Sequence, residues 1–148
     1  MKISLDFNNQ TKSPVRKSFF ISVAKKTIQK NGYDFLEKKN LSLSIALISP
    51  QEIRKINKIY RNKDYVTDIL SFASYKSVKE IKKSKEKAVF LGELILCYDD
   101  IKDYAKKNGL NFKEELARTV SHGILHLLDF HHGKIMFSLQ DKIANKFS

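Results

Sequence analysis

The chain has 148 residues, with 28 Lys and Arg against 16 Asp and Glu and a single cysteine. This length suits one domain over residues 1–148, one cysteine excludes an internal disulfide, and no run of about 18 apolar residues is present to span a membrane. The formal net charge of +12 favours a nucleic-acid partner, although a general preference for lysine would also explain much of this charge.

The amino-terminal region predicts one strand and one helix. Ile3, Leu5 and Phe7 alternate with polar residues, which is the pattern of a strand with one buried face and not that of a signal peptide. We therefore expect a cytoplasmic protein. A helix is predicted around residues 19–28, and Gly32 is suited to end it in a left-handed conformation.

A second strand is predicted at residues 41–48, where large apolar side chains occupy every second position. A helix follows directly. Ser49 can cap its first turn, Pro50 suits the first helical position, and Glu52 completes a capping box.

Two further strands, at residues 69–73 and 88–97, are predicted on either side of a lysine-rich stretch. That stretch, KSVKEIKKSKEK at residues 76–87, has little apolar surface to bury and is predicted to be an exposed loop. Cys97, at the end of the later strand, is expected to be a small buried hydrophobic residue.

The remaining elements are predicted to be helical. One helix over about residues 100–108 stops at Gly109, and another begins after the cap residue Asn111, which has Glu114 three positions later. Its buried stripe is Leu116, Val120, Ile124, Leu127 and Leu128. The order of elements predicts an α+β fold in which about five helices cover a mixed sheet of about four strands.

All four histidines of the chain fall between positions 122 and 132. His122 and His126 lie four residues apart on a predicted helix, so both imidazoles project from one face at a separation that suits a shared tetrahedral ion. His132 could complete the site if the chain turns back after the helix. Three neutral nitrogens favour one Zn²⁺ ion, which lowers the pKa of a bound water to about 7. Surface histidines without a metal are the alternative interpretation.

The position after the first histidine separates two kinds of hydrolase. Metzincin proteases share this histidine spacing but place a glutamate there as general base, whereas this chain has Gly123. A metallopeptidase is therefore the weaker hypothesis, since phosphodiester cleavage can use the metal and a cation instead. Glu115, on the same helix face as His122, could orient a ligand imidazole, or could simply stabilise the positive end of the helix.

Several short motifs occur in order along the chain. They are NKIYRNKD at residues 57–64, TDILSF at 67–72, LGE at 91–93, EL at 115–116, and HGILHLL at 122–128 followed by His132. Together these motifs resemble those of the YbeY family, bacterial metal-dependent endoribonucleases of rRNA maturation and ribosome quality control.

The resemblance implies a zincin-like α+β domain that cuts single-stranded RNA. His122, His126 and His132 would bind the zinc ion, and Arg61 would be the cation of the substrate cleft, where a guanidinium can hold a phosphate by two hydrogen bonds. The implied partners are precursor rRNA and the small ribosomal subunit with its proteins or an assembly GTPase, and no membrane.

Two positions depart from the family pattern. The family usually has glycine where this chain has Asp129, a position that favours positive φ just after the helix. The family also usually has aspartate where this chain has His131, which makes His131 an alternative third ligand. The spacing favours His132, and Asp129 could replace the missing carboxylate.

A second hypothesis from a different functional class also fits the sequence. In it, the chain is an RNA-binding module of ribosome assembly, and the metal only stabilises the fold. Loss of His126 would then remove stability and function together, whereas the enzyme hypothesis allows a folded, metal-bound and inactive Arg61 variant.

Overall fold

A four-stranded mixed sheet forms one layer of the computed structural model, which describes residues 2–148. Its strands are β1 (Lys2–Asn9), β2 (Asn40–Leu47), β3 (Ile69–Ala73) and β4 (Ala88–Leu96). The order across the sheet is β1-β2-β4-β3, in which β1, β2 and β4 run parallel and β3 pairs antiparallel with β4. The predicted α+β class and the four predicted strands are confirmed.

Six helices accompany the sheet in residues 2–148, where the sequence predicts about five. They are α1 (Lys17–Lys30), α2 (Pro50–Arg61), α3 (Val78–Lys83), α4 (Tyr98–Lys107), α5 (Phe112–Leu127) and α6 (Lys134–Ala144), with short 3₁₀ turns at Asp34–Lys38 and Asn145–Phe147. Two predicted caps are confirmed. The backbone N–H of Glu52 donates to the Ser49 hydroxyl, and that of Glu114 donates to the Asn111 side chain.

The lysine-rich stretch is not a continuous loop, so that prediction is wrong. Residues Val78–Lys83 form α3, whose first turn is capped by the Ser77 hydroxyl accepting from the Glu80 backbone N–H. Ile81 from this helix is fully buried in the main core. The capped first turn stabilises this helix, and the buried Ile81 side chain holds it against the main core.

Helix α6 was not located from the sequence because its apolar residues do not all face the core. Ile135 and Phe137 are 73% and 44% exposed, while Met136 and Ile143 are buried. Apolar side chains at adjacent positions point in different directions around a helix, so they obscure the helical period.

The helices cover the sheet unequally. The main core packs one sheet face against α1, α4 and α5, and a smaller cluster around Ile53 and Ile95 packs α2 on the other face. Among residues 2–148, no helix combines the length and apolar character that crossing a membrane requires.

Gly92 allows the edge strand to approach β4 closely. The pairing of β2 with β4 shifts its register between Ser42 and Ser44, where β4 carries an extra residue. Gly92 has φ +144°, and a Cβ atom there would collide with the backbone oxygen of Phe72 in β3. The glycine of the LGE motif therefore sets the position of β3, which forms one wall of the site described next.

Candidate metal centre and its cleft

Helix α5 and the turn after it bring three histidines together. His122 and His126 lie one turn apart on α5, which ends at Leu127. Asp129 then adopts φ +69°, and the backbone N–H of Phe130 donates to the oxygen of Leu125 at 2.9 Å. This reversal returns the chain towards the helix and places His132 beside the other two imidazoles. Asp129 thus adopts the conformation for which glycine is usual.

The three Nε2 atoms converge on one point. The Nε2 of His126 lies 3.0 Å from that of His122 and 3.0 Å from that of His132, and the third side of the triangle is 3.3 Å. Ligand atoms at about 2.0–2.1 Å from a tetrahedral zinc ion are separated by roughly 3.3 Å. The spacing therefore fits three nitrogen ligands of one ion. Among the described residues, His122, His126 and His132 form the group whose side chains could hold a metal ion.

The outer nitrogens of two rings are held by oxygen acceptors. His126 Nδ1 lies 3.1 Å from the carbonyl oxygen of Phe130, which can only accept a hydrogen bond. His122 Nδ1 lies 2.8 Å from Oε1 of Gln140 on α6. Each Nδ1 therefore carries its proton outward and leaves the Nε2 lone pair directed at the common point, as in histidines that bind metals.

The His126 ring lies in an environment that favours its neutral form. Burial, followed by the charges of His122 and His132, lowers the pKa of His126 below its usual value. A neutral imidazole is the form that binds a metal ion, so the protein holds this nitrogen ready as a ligand at neutral pH.

His131 points away from the group. Its side chain is 89% exposed, and its Nε2 lies 3.6 Å from a carboxylate oxygen of Asp129. The other carboxylate oxygen of Asp129 accepts a 3.4 Å hydrogen bond from the backbone N–H of Val78. Of the two adjacent histidines, the geometry therefore brings His132, and not His131, to the common point.

Glu115, for which the sequence leaves two roles open, forms no hydrogen bond with an imidazole among residues 2–148. Its carboxylate pairs with Arg118, which also binds Glu114 on α5 and Asp141 on α6. Burial alone would lower the pKa of Arg118, but the hydrogen bonds that it donates to the carboxylates of Asp141 and Glu115 outweigh burial and raise it. Since Asp141 adjoins Gln140, this network fastens the helix that supports His122.

A cleft of about 440 Å³ opens over the three histidines. Arg61, at the end of α2, lies in its wall and donates from Nη2 to the backbone oxygen of Ser71 at 2.7 Å. Its guanidinium also lies over the Phe72 ring, 5.0 Å from the centroid. One edge of this cation is therefore fixed to β3, while the side chain remains largely exposed in the cleft.

The residues of the NKIYRNKD motif fasten the loop that completes the cleft. Asn57, which is buried, donates to the backbone oxygen of Tyr65 at 2.9 Å, and Arg54 pairs with Asp64 at 2.9 Å. Asn62 ends α2 in a left-handed conformation. This motif therefore provides both the cation and the anchored loop beside it.

Gly123 lies against the sheet, on the side of α5 away from open space. A Cβ atom at this position would meet the side chains of Ile69 and Leu94. Metzincin proteases have their general base at this position. In this chain the position packs against the sheet and has no room for a larger side chain.

The sequence did not identify the partners of the histidine rings. Gln140 lies on the helix that was not located, and the Phe130 oxygen is a backbone atom without a side-chain signal. The spacing of His122 and Gln140, 18 residues apart across a turn, carries no periodicity that could have linked them.

Comparison with known proteins identifies relatives along almost the whole chain. The family described as Endoribonuclease YbeY matches residues 6–148. A protein named Endoribonuclease YbeY from Staphylococcus saprophyticus is 34% identical over 97% of this chain and 95% of its own length. Another with this name, from a Sulfurihydrogenibium species, is 36% identical over 90% of this chain and 85% of its own length.

A solved structure has the same fold. The solution structure of a Thermotoga maritima protein superposes with a TM-score of 0.62 at 24% identity, covering 97% of this chain and 89% of that protein. The arrangement of helices around the mixed sheet is therefore one already seen experimentally.

Proposed function

This chain belongs to the YbeY endoribonuclease family, and we propose that it cuts single-stranded RNA with the help of one zinc ion held by His122, His126 and His132. The observation that carries the proposal is the convergence of three Nε2 atoms, 3.0–3.3 Å apart, in a cleft that also contains Arg61. A zinc ion bound there would activate a water molecule for attack on a phosphodiester bond.

Arg61 positions the phosphate in this proposal. Its contacts with Ser71 and Phe72 fix the guanidinium plane, so its remaining N–H groups can bind phosphate oxygens without a large loss of side-chain entropy. The same groups offset the negative charge that grows on these oxygens as the bond breaks. Lys63, which also lines the cleft, adds a second positive charge along the path of the backbone.

The proposed substrate is precursor rRNA of the small subunit, and the proposed role is rRNA maturation and ribosome quality control in the cytoplasm. The net charge of +12 supports binding to an RNA backbone that weakens as salt increases. Contact with the small ribosomal subunit, its proteins or an assembly GTPase belongs to the same proposal and follows from the family.

A cleavage assay with matched variants tests the proposal. Zinc-loaded protein should cut a labelled single-stranded RNA, and both a chelator and His126→Ala should abolish cleavage. Arg61→Ala should remain folded and zinc-bound but lower kcat by about 10²–10³-fold. Arg16→Ala, at an arginine just before α1 and outside the cleft, is the control and should cut RNA at the wild-type rate.

The same assay separates the rival functions. Full activity of His126→Ala would refute the metal-dependent enzyme. An RNA-binding module with a structural metal predicts no cleavage by any variant, while a metallopeptidase predicts that the zinc-loaded protein digests casein and leaves the RNA intact.

A further inference from the structure

Two aromatic rings beside the histidines are exposed although they belong to well-fixed segments. We infer that Tyr65 and Phe137 bind unpaired bases of the RNA by stacking, an inference that rests on the proposed function. In this arrangement, Arg61 holds the backbone and the two rings hold bases.

Tyr65 is a rigid platform in the wall of the cleft. Its side chain is 52% exposed and lines the same cavity as the three histidines. Its backbone is held by the hydrogen bond from Asn57, and the next residue, Val66, packs against the smaller core cluster. Because the segment is already fixed, a base that stacks on this ring orders little additional chain.

Phe137 lies on α6, with its ring next to that of His132. Its ring is stacked on the His132 ring, with a centroid distance of 6.0 Å and an interplanar angle of 25°, and its side chain is 44% exposed. The exposed ring therefore extends the aromatic surface of the histidine site to α6.

The chemistry around these rings suits nucleic acid better than an apolar protein partner. The cleft wall near Tyr65 carries two cations, two hydroxyl groups and one carboxylate, so its charge is net positive; these belong to Arg61, Lys63, Thr67, Ser71 and Asp68. A cationic groove combined with isolated aromatic rings is how proteins bind single-stranded nucleic acids, because every base offers a face for stacking. Paired bases in a duplex are not available for this contact, so the rings favour single strands.

Leucine variants test stacking because leucine keeps an apolar side chain but has no aromatic face. The test is binding of the zinc-loaded protein to fluorescein-labelled decauridylate, followed by stopped-flow anisotropy before turnover. Tyr65→Leu and Phe137→Leu should each weaken binding by about 5- to 100-fold, and Tyr65→Phe should bind like wild type. Tyr104→Leu and Phe90→Leu are controls, since these rings are 53% and 46% exposed outside the cleft.

An abasic decamer distinguishes bases from backbone. It has the same phosphates without bases, so neither leucine variant should bind it more weakly than wild type does. The inference would be overturned if the leucine variants lost equal affinity for decauridylate and for the abasic decamer. It would also be overturned if both variants bound decauridylate with unchanged affinity. The latter result would leave the exposed rings as a contact for a protein partner.

The absence of tryptophan from the sequence allows a direct signal. Tyr65→Trp or Phe137→Trp introduces a single tryptophan, and its fluorescence should be quenched by decauridylate and not by the abasic decamer. Tyr104→Trp should show no quenching. Quenching of the Tyr104→Trp control equal to that at the two cleft positions would contradict a specific stack.

Cleavage by the same proteins separates this inference from the proposed function. If wild type binds RNA through these rings but never cuts it, the hydrolytic function fails and stacking stands. If Tyr65→Leu and Phe137→Leu cut decauridylate with wild-type KM, stacking fails and hydrolysis stands.

Discussion

Replacing Gln140 by leucine should weaken zinc binding without removing a ligand. Gln140 Oε1 is the acceptor, 2.8 Å from His122 Nδ1, that keeps the ring proton on the outer nitrogen. Leucine has similar volume and no acceptor, so the His122 lone pair loses its fixed direction. Loss of such a supporting hydrogen bond typically lowers metal affinity about 10- to 100-fold, or about 1.4–2.7 kcal/mol.

The assay is competition for zinc against a chromophoric chelator at pH 7.5, with circular dichroism to check the fold. Gln140→Glu retains an acceptor oxygen and should bind zinc at least as tightly as wild type. Gln29→Leu, at an exposed glutamine of α1, is the matched control and should leave affinity unchanged. Wild-type affinity in Gln140→Leu would refute the argument that this contact orients the ring.

Three further predictions concern stability and reactivity. Gly92→Ala should lower the free energy of unfolding in urea by about 2–4 kcal/mol, because it adds a clash with Phe72 to an unfavourable φ. Gly109 also has positive φ but lies in open space, so Gly109→Ala should lower it by only about 1–2 kcal/mol. Equal losses of stability in the two variants would contradict the clash. Burial raises the pKa of the Cys97 thiol, so Ellman's reagent should label it only as the protein unfolds, and labelling of the native protein within seconds would contradict this. Burial, and then neighbouring aspartates, raise the pKa of Asp100 in the folded protein. The ionised carboxylate therefore destabilises the folded state at pH 7, and Asp100→Asn should raise the urea midpoint there. The difference should vanish below about pH 4, where the carboxyl group is protonated in both the folded and the unfolded protein. A lower midpoint at pH 7 would show the opposite linkage.

The predictable parts of this fold were those with local signals. Alternating apolar residues located β1 and β2, and the caps at Ser49 and Asn111 located the starts of α2 and α5. Helix α3 also has a local signal, since Ser77 and Glu80 form its first capped turn, but the lysines around it obscured the single buried residue, Ile81.

The candidate metal site was predictable to the extent that it depends on helical spacing. His122 and His126 follow from the four-residue interval, whereas the choice of His132 over His131 depends on the turn at Asp129, where the carboxylate binds Val78 and His131 is left exposed. The sequence left two roles open for Glu115 for a related reason. Position on a helix face does not reveal that a neighbouring cation, Arg118, will take the carboxylate.

The cleft depends on contacts between distant segments, which the sequence pattern does not encode. Arg61 was identified through its motif, but its acceptor on Ser71 requires the antiparallel pairing of β3 with β4. That pairing in turn requires a glycine at position 92, so a motif distant in sequence from the histidines positions the strand that Arg61 contacts.

A crystal structure of zinc-loaded protein, with anomalous data collected at the zinc edge, tests the three-histidine site directly. We expect one anomalous peak about 2.0–2.1 Å from the Nε2 atoms of His122, His126 and His132, with Gln140 and the Phe130 oxygen still bound to the outer nitrogens. A peak elsewhere, or a site without zinc in which the three rings point apart, would contradict binding of one ion by the three histidines.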